Sequence, residues 1–208
     1  MKASNMAKNL LFSFLCGAMF SITPNVYAQA ADASKLGSNE LMPYLQGALG
    51  FQRVNSPSAT GMAMDLNGSA TKNSARATFG VQLSEHFGVE GTWFQLPSTT
   101  LQTNVGDATY KGEAFAISFT ASMPIEKDLS IVGRLGVGRS DVDVAVPSTT
   151  YQSNSRKDLT VWGLGIRFAI DKSKDLTLDY DNLGAVGKYA LGDRLKADVV
   201  SVGLRFKF

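Results

Sequence analysis

Beyond Glu40 the chain alternates apolar and polar residues with a period of two, in segments of about ten residues, the pattern of β-strands with one apolar face. Eight segments read this way. The first sets Leu45, Leu49 and Phe51 against Gln46, Ala48, Gly50 and Gln52, and the second sets Ala75, Ala77, Phe79, Val81 and Leu83 against Arg76, Thr78, Gly80 and Gln82. Val89, Gly91 and Trp93 oppose Glu90, Thr92 and Phe94 in the third, the least clean; Phe115, Ile117, Phe119 and Ala121 oppose Ala116, Ser118, Thr120 and Ser122 in the fourth. The fifth has Leu129, Ile131, Leu135 and Val137 against Ser130, Val132, Arg134, Gly136 and Gly138; the sixth, Trp162, Leu164, Ile166, Phe168 and Ile170 against Gly163, Gly165 and Arg167. A short seventh, with Leu176, Leu178 and Tyr180 against Thr177 and Asp179, precedes an eighth, with Val200, Val202, Leu204, Phe206 and Phe208 against Ser201, Gly203, Arg205 and Lys207.

The connections alternate in length. Residues 84–87, 124–128 and 171–175 form tight polar turns, whereas 55–71, 97–109, 141–157 and 183–196 read as long polar loops. Short turns at one end and long loops at the other are the signature of an outer-membrane barrel, with the turns periplasmic and the loops external. A soluble β-sandwich has no reason to sort its connections by end.

Alternation alone does not say which face is inside, since a soluble eight-stranded barrel would turn its apolar face inward. The charges decide it. Arg76, Glu90, Arg134, Arg167, Asp179 and Arg205 lie mid-strand on the polar face, among Gly, Ala, Ser, Thr and Gln. An Arg facing hydrocarbon at the midplane would cost about 2–4 kcal/mol, whereas inside a narrow barrel it can pair with an acid while small neighbours make room. The expected fold is therefore all-β: an eight-stranded antiparallel up-and-down transmembrane barrel. If the sixth and seventh segments pivot about Ser173, Asp179 stands opposite Arg167, which predicts Asp179 between Arg167 and Arg205, with Glu90 and Arg134 completing an ion-pair layer. Trp93, Tyr110, Trp162 and Tyr180 lie toward strand ends, where interfacial aromatic girdles sit.

The first thirty or so residues read as an address. Lys2 and Lys8 precede an apolar run over residues 10–20, then Pro24 and the small-residue stretch Val26-Tyr27-Ala28-Gln29-Ala30, which predicts a secretory signal (1–30) cleaved after Ala30 or Ala28. A short periplasmic segment (31–40) and the barrel (41–208) follow. The apolar run is half of the roughly 20 residues that a helical span requires. Cys16 lies within it and lacks the small residues expected before a lipidated cysteine, so the exported chain is expected to carry no disulfide or thiolate site. Without Lys2 and Lys8, the 20 basic and 18 acidic residues become 18 of each, a neutrality that argues against a nucleic-acid partner.

The last segment, with Phe208 terminal and apolar residues at every second position before it, resembles the C-terminal assembly signal of outer-membrane barrels. The resemblance implies that Val200, Val202, Leu204, Phe206 and Phe208 are read by the barrel-assembly machinery. Over residues 43–208 the chain resembles the small OmpA-like or OmpX-like barrel family, on phrases such as Gly133-Arg134-Leu135-Gly136-Val137-Gly138, Trp162-Gly163-Leu164-Gly165-Ile166-Arg167 and Val200-Ser201-Val202-Gly203-Leu204-Arg205-Phe206. It departs from the OmpA pattern in lacking the peptidoglycan-binding domain, which removes support for cell-wall anchoring.

No catalytic, cofactor or metal site is expected. The single histidine, His86, falls in the first short turn beside Glu85, with Ser84 merely a sequence neighbour, and Asp141 and Asp143 read as a loop start. Lys111 and Glu113 read as surface charges at the outer rim, and the Gly-rich phrases precede no helix that could present its N-terminus to phosphate. Two functions remain open: a structural, surface-interaction protein with an ion-paired, plugged lumen and an external ligand at the loops, or a narrow porin-like channel for ions or small solutes. The expected location is the outer membrane, with its lipid as the first partner.

Overall fold

A computed structural model of the chain describes residues 41–55, 69–103, 106–146, 151–188 and 194–208. The signal, its cleavage site and the 31–40 segment lie outside these residues, as does most of the stretch read as the first long loop.

Eight strands form one closed antiparallel barrel in chain order: β1 (Met42–Asn55), β2 (Ser69–Gln82), β3 (Phe87–Thr103), β4 (Gly106–Glu126), β5 (Leu129–Val146), β6 (Tyr151–Ala169), β7 (Lys174–Lys188) and β8 (Arg194–Lys207). β8 closes on β1, from Tyr44↔Lys207 to Asn55↔Lys196. Closure is what hydrocarbon demands, because an open edge would leave amides unpaired where no water can satisfy them. The apolar face points outward: Leu49, Phe51, Phe79, Phe115, Ile117, Leu135, Val137, Leu164, Ile166, Phe168 and Val202 are all exposed. On β6 and the residue that follows it this outward series runs from Trp162 to Ile170; at about 3.3 Å per residue and a tilt near 40° it covers roughly 20 Å of depth before side chains are added, close to the ~25 Å apolar band of such barrels.

Three tight turns join β2 to β3, β4 to β5 and β6 to β7. In the last, the exposed Asp171 carboxylate accepts from the Ser173 amide at 2.7 Å and hydroxyl at 2.9 Å, while the amides of Ile170 and Asp171 donate to the Lys174 carbonyl. Those Ser173 hydrogen bonds hold the Asp171 carboxyl below its ordinary pKa. This closed turn centres the hairpin on Lys172, so Gly165 faces Asp179 and Arg167 faces Thr177. The expected pivot at Ser173 is thus corrected by one residue, which shifts every facing pair by two.

Three of the expected long loops are largely strand. After a bulge between Leu96 and Thr99, residues 99–103 pair with 106–110 as a hairpin, 141–146 pair with 151–156, and Ala185, Gly187 and Lys188 pair with Lys196, Leu195 and Arg194 through bulges on either side of Ala185. β4 has 21 residues, twice the roughly 9–11 that a tilted strand needs to cross a bilayer, so about half of it stands outside the lipid.

The polarity of the two faces inverts where the strands leave the membrane. On β5 the outward series passes from Leu135 and Val137 to Arg139, Asp141 and Asp143, while the inward one passes from Arg134 and Gly136 to Ser140 and Val142. On β8 the outward Val202 and Val200 give way to Asp198 and Lys196, and the inward Ser201 to Val199, Ala197 and Leu195. Water now lies outside, so the apolar side chains turn in. Tyr110 goes with them: it has the parity of Ala114 and Ala116 and is buried in the external core, not in the girdle expected for it, whereas Trp93, Trp162 and Tyr180 do face outward at the boundary.

Above that boundary two seams open. The β2–β3 ladder ends at Arg76↔Phe94 and the β6–β7 ladder at Trp162↔Asn182, although the four strands continue. The external half is therefore two four-stranded sheets, β3-β4-β5-β6 and β7-β8-β1-β2. Phe94, Leu96, Tyr110, Val142 and Leu159 from one meet Val54, Leu183, Val186, Leu195 and Val199 from the other in a single apolar cluster. The Ser140 hydroxyl donates to the Val186 carbonyl at 2.6 Å and ties β5 to the bent end of β7.

Candidate functional site

The membrane-embedded lumen is filled with charge. Arg76, Glu90, Arg134, Arg167, Asp179 and Arg205 all point inward and are between 1% and 7% exposed. Each occupies a polar-parity position on its strand, so the pleat alone aims it at the axis.

The pairing differs from the expected one. Asp179 is held by Arg76 and Arg134, which reach it across the lumen, and not by Arg167 and Arg205. The hairpin register puts Gly165 and Ser201 beside Asp179, with Arg167 one pleat repeat away, opposite Thr177, and Arg205 two repeats away, opposite Asp175. Arg76 and Arg134 each use a second nitrogen on Asp181, at 2.5 and 2.9 Å, so two guanidinium groups and two carboxylates form a closed square. Gln46 adds a hydrogen bond to Asp179 at 2.8 Å. Arg134 also reaches Glu90 through Nε at 3.3 Å, and Arg167 reaches the other Glu90 oxygen at 3.1 Å.

Arg205 stands nearer the periplasmic end. Its guanidinium stacks on the Tyr44 ring at 3.5 Å, donates to Gln82 at 3.0 Å and lies 4.0 Å from Asp175, while the Tyr44 hydroxyl donates to Glu90 at 2.5 Å. Asp175 takes a closer ion pair from Lys207 at 2.7 Å. Four arginines and four carboxylates, with Lys207 as a fifth cation at the periplasmic end, thus form one chain of contacts that Tyr44 joins across to Arg205. Asp181, Asp175 and Tyr44 were not among the expected lumen residues. The signal for Asp181 was present: Asp175, Thr177, Asp179 and Asp181 share one parity, but the segment read from sequence stopped at Tyr180.

Outside the barrel the external sheets carry a second set of charges. Arg139 pairs with Asp158 at 2.9 Å, Arg156 pairs with Asp141 at 3.2 Å, and the Asn154 amide bridges Asp141 and Asp143 at 2.5 and 2.8 Å. Asp141 and Asp143 therefore sit within a strand, contrary to the loop start expected of them. Glu113 accepts from the Trp93 indole at 3.2 Å and Asp198 from the Tyr180 hydroxyl at 3.0 Å, so both boundary aromatics turn their polar ends toward the water side. His86 is exposed in its turn, with its amide 3.4 Å from the Ser84 hydroxyl. Among the described residues no group of three or more metal-ligating side chains converges.

An up-and-down barrel with an apolar exterior belt and a charged, filled interior defines a small outer-membrane protein. A family model for the OmpA-like transmembrane domain matches residues 44–208, and the chain belongs to that family, in the outer membrane. Solved structures are similar in fold. Ail, the attachment invasion locus protein of Yersinia pestis, in complex with the heparin analogue sucrose octasulfate, aligns at a TM-score of 0.54 and 15% identity over 81% of this chain and 99% of that one. Neisserial surface protein A aligns at 0.55 and 16% over 80% and 97%, and the N-terminal β-barrel domain of Pseudomonas aeruginosa OprF at 0.53 and 9% over 80% and 97%. Comparison with curated protein sequences gives no match.

Proposed function

We propose that the protein is a closed, non-enzymatic surface barrel that contacts external partners through the strand extensions standing above the membrane. The observation that carries this reading is the double filling of the lumen: a paired ionic layer within the membrane and an apolar layer above it leave little room for a conduction path. The polar outward faces of β5 and β6 offer a paired charged surface to the outside, with Arg139, Asp141, Asp143, Asn154, Arg156 and Asp158. Extensions of folded strand, in place of the loops expected from sequence, present those side chains at fixed spacing. Two of the similar structures are by name an attachment protein and a surface protein, which supports the same reading. The exposed, unconverged surroundings of His86 support the absence of an enzyme. The terminal strand from Val200 onward is proposed as the segment that the assembly machinery reads.

Two measurements test the proposal. In planar bilayers the purified barrel should give no stable unit current; regular openings would favour the channel reading instead. Cells displaying the wild type should bind host-cell or matrix preparations more than cells displaying a variant with Arg139, Arg156 and Asp158 changed to Ser. Equal binding by the two would sink the assignment of this face.

A further inference from the structure

The two external sheets differ in charge. In β7-β8-β1-β2, residues 182–188, 194–198, 53–55 and 69–75 carry Arg53, Lys72, Lys188, Arg194 and Lys196 against the single acid Asp198. In residues 95–103, 106–113, 139–146 and 151–160 of the other sheet, four basic residues meet five acidic ones, and Arg139 and Arg156 each have a carboxylate partner. Among the described residues, the excess of positive charge is therefore confined to one side of the barrel, centred where β8 closes on β1.

The height of these cations selects a partner. Phe51 and Val200 face each other across the β8–β1 ladder, are 61% and 47% exposed, and end the apolar belt there. Arg53 lies two residues beyond Phe51 and Lys196 four beyond Val200, both exposed. At about 3.3 Å per residue and a tilt near 40° they stand roughly 5 and 10 Å above the belt, and head groups fill about 5–8 Å of each leaflet. Arg53 faces Asp198 and Lys196 faces Asn55, so the two cations are diagonal neighbours, about 7–8 Å apart at the backbone, and their side chains can reach one phosphate. Asp198 offsets only one of these charges, and its Oδ1 already accepts from the Tyr180 hydroxyl at 3.0 Å and the Asn182 amide at 2.5 Å.

Below the cations the lipid-facing surface dips. Gly47 faces Ala77 and Leu49 faces Ala75, and a Cβ on Gly47 would meet nothing within 4 Å. This trough of small residues runs up β2 to Asn73 and Thr71, and Thr71 faces Arg53. An acyl chain can lie in it, whereas a water-borne polyanion would leave it unused.

We propose that the β8–β1 side of the barrel is a docking surface for the phosphate-bearing head groups of the surrounding outer-leaflet glycolipid, with Arg53 and Lys196 as the phosphate ligands and the trough beneath them holding one chain. Cations at that height are attracted to an anionic lipid surface. Glu113, Asp141 and Asp143, on the opposite side, repel the same head groups, so the lipid shell is uneven around the barrel.

The test uses the full exported barrel in phosphatidylcholine nanodiscs doped with diphosphoryl lipid A, with amide NMR shifts of Arg53, Thr71 and Ala197 as the readout. Diphosphoryl lipid A should give saturable shifts, and its dephosphorylated form should not. Arg53→Ser and Lys196→Ser should each weaken binding about five-fold, the attraction of one cation near an anionic surface. Lys111→Ser, which removes an exposed cation of similar height on β4, should change it by less than about two-fold, because the distance across the barrel exceeds the screening length. Heat-modifiable migration checks that each variant is folded. Equal response to the dephosphorylated lipid would overturn the role of the cations, and a loss in Lys111→Ser as large as in Lys196→Ser would overturn the site. Soluble inositol hexakisphosphate displacing the lipid at equal concentration would place the partner in water, and shifts that grow with barrel density before lipid A is added would place a second copy of the chain on this face; either result overturns the lipid assignment.

Discussion

Gly163 and Gly165 owe their places in β6 to the carboxylates beside them. They face Asp181 and Asp179 across the ladder, and a Cβ built on either would overlap the neighbouring carboxylate oxygen. Gly80 makes the same allowance for the Tyr44 ring. Replacing Gly165 with Ala should therefore push Asp179 off its two arginines and destabilise the barrel by about 1–3 kcal/mol, the usual cost of overpacking; urea unfolding from lipid vesicles measures it. Asp179→Ala leaves Arg76 and Arg134 buried with one partner fewer and should cost about 3 kcal/mol or more. By contrast Asp158→Ala removes an ion pair whose two side chains are 69% and 82% exposed, and the same experiment should register under about 1 kcal/mol. The four lumen arginines, Glu90 and Asp179 were legible in the sequence, because a charge on the polar face of an alternating segment has only the lumen to enter, whereas Asp175 and Asp181 were missed. Nor were the partners legible, since pairing across a lumen depends on a hairpin register set by the Asp171 side chain in a four-residue turn.

At the level of the strand, the informative feature is the reversal of polarity along each extended strand. Asp141-Val142-Asp143-Val144 alternates as cleanly as any membrane segment, but with charge on the outward parity, and a reading tuned to apolar-outward strands takes it for a loop. The same reversal explains Tyr110, whose parity is that of Ala114 and whose aromatic character alone suggests an interface. The eight strands and their order were therefore readable from period two and alternating connection lengths, whereas their outer ends were not. Position along one strand should set the tolerance for charge. Ile166→Arg, within the apolar belt of β6, should lower stability by about 2–4 kcal/mol, and Thr160→Arg, on the same face but past the boundary, by about 1 kcal/mol or less. Equal penalties in vesicle unfolding would refute the placement of the boundary between Trp162 and Thr160.

For the molecule as a whole, the interior is filled by two layers of side chains of opposite chemistry, an ionic one and an apolar one. Glu90→Gln weakens the ionic layer by removing a charge that holds Arg134 and Arg167, yet the apolar cluster above it is untouched. Bilayer conductance of this variant should therefore stay at background, and unit currents would show that the charged layer alone seals the barrel. The two seams make the external half less tightly joined than the membrane half, since each interrupts a ladder that is continuous below it. Amide exchange should accordingly be faster in the residues bordering the seams, 71–75 and 95–100, than in 76–82 and 88–94. The reversal of polarity also fixes how deep the protein rides. Sinking by a turn of the pleat would drag Arg139 and Asp198 among acyl chains, and rising by as much would lift Phe206 and Ile170 out of them on the far side. The strands thus act as a plumb line that the bilayer itself reads, and they hold the outer sheets at one constant height above the cell.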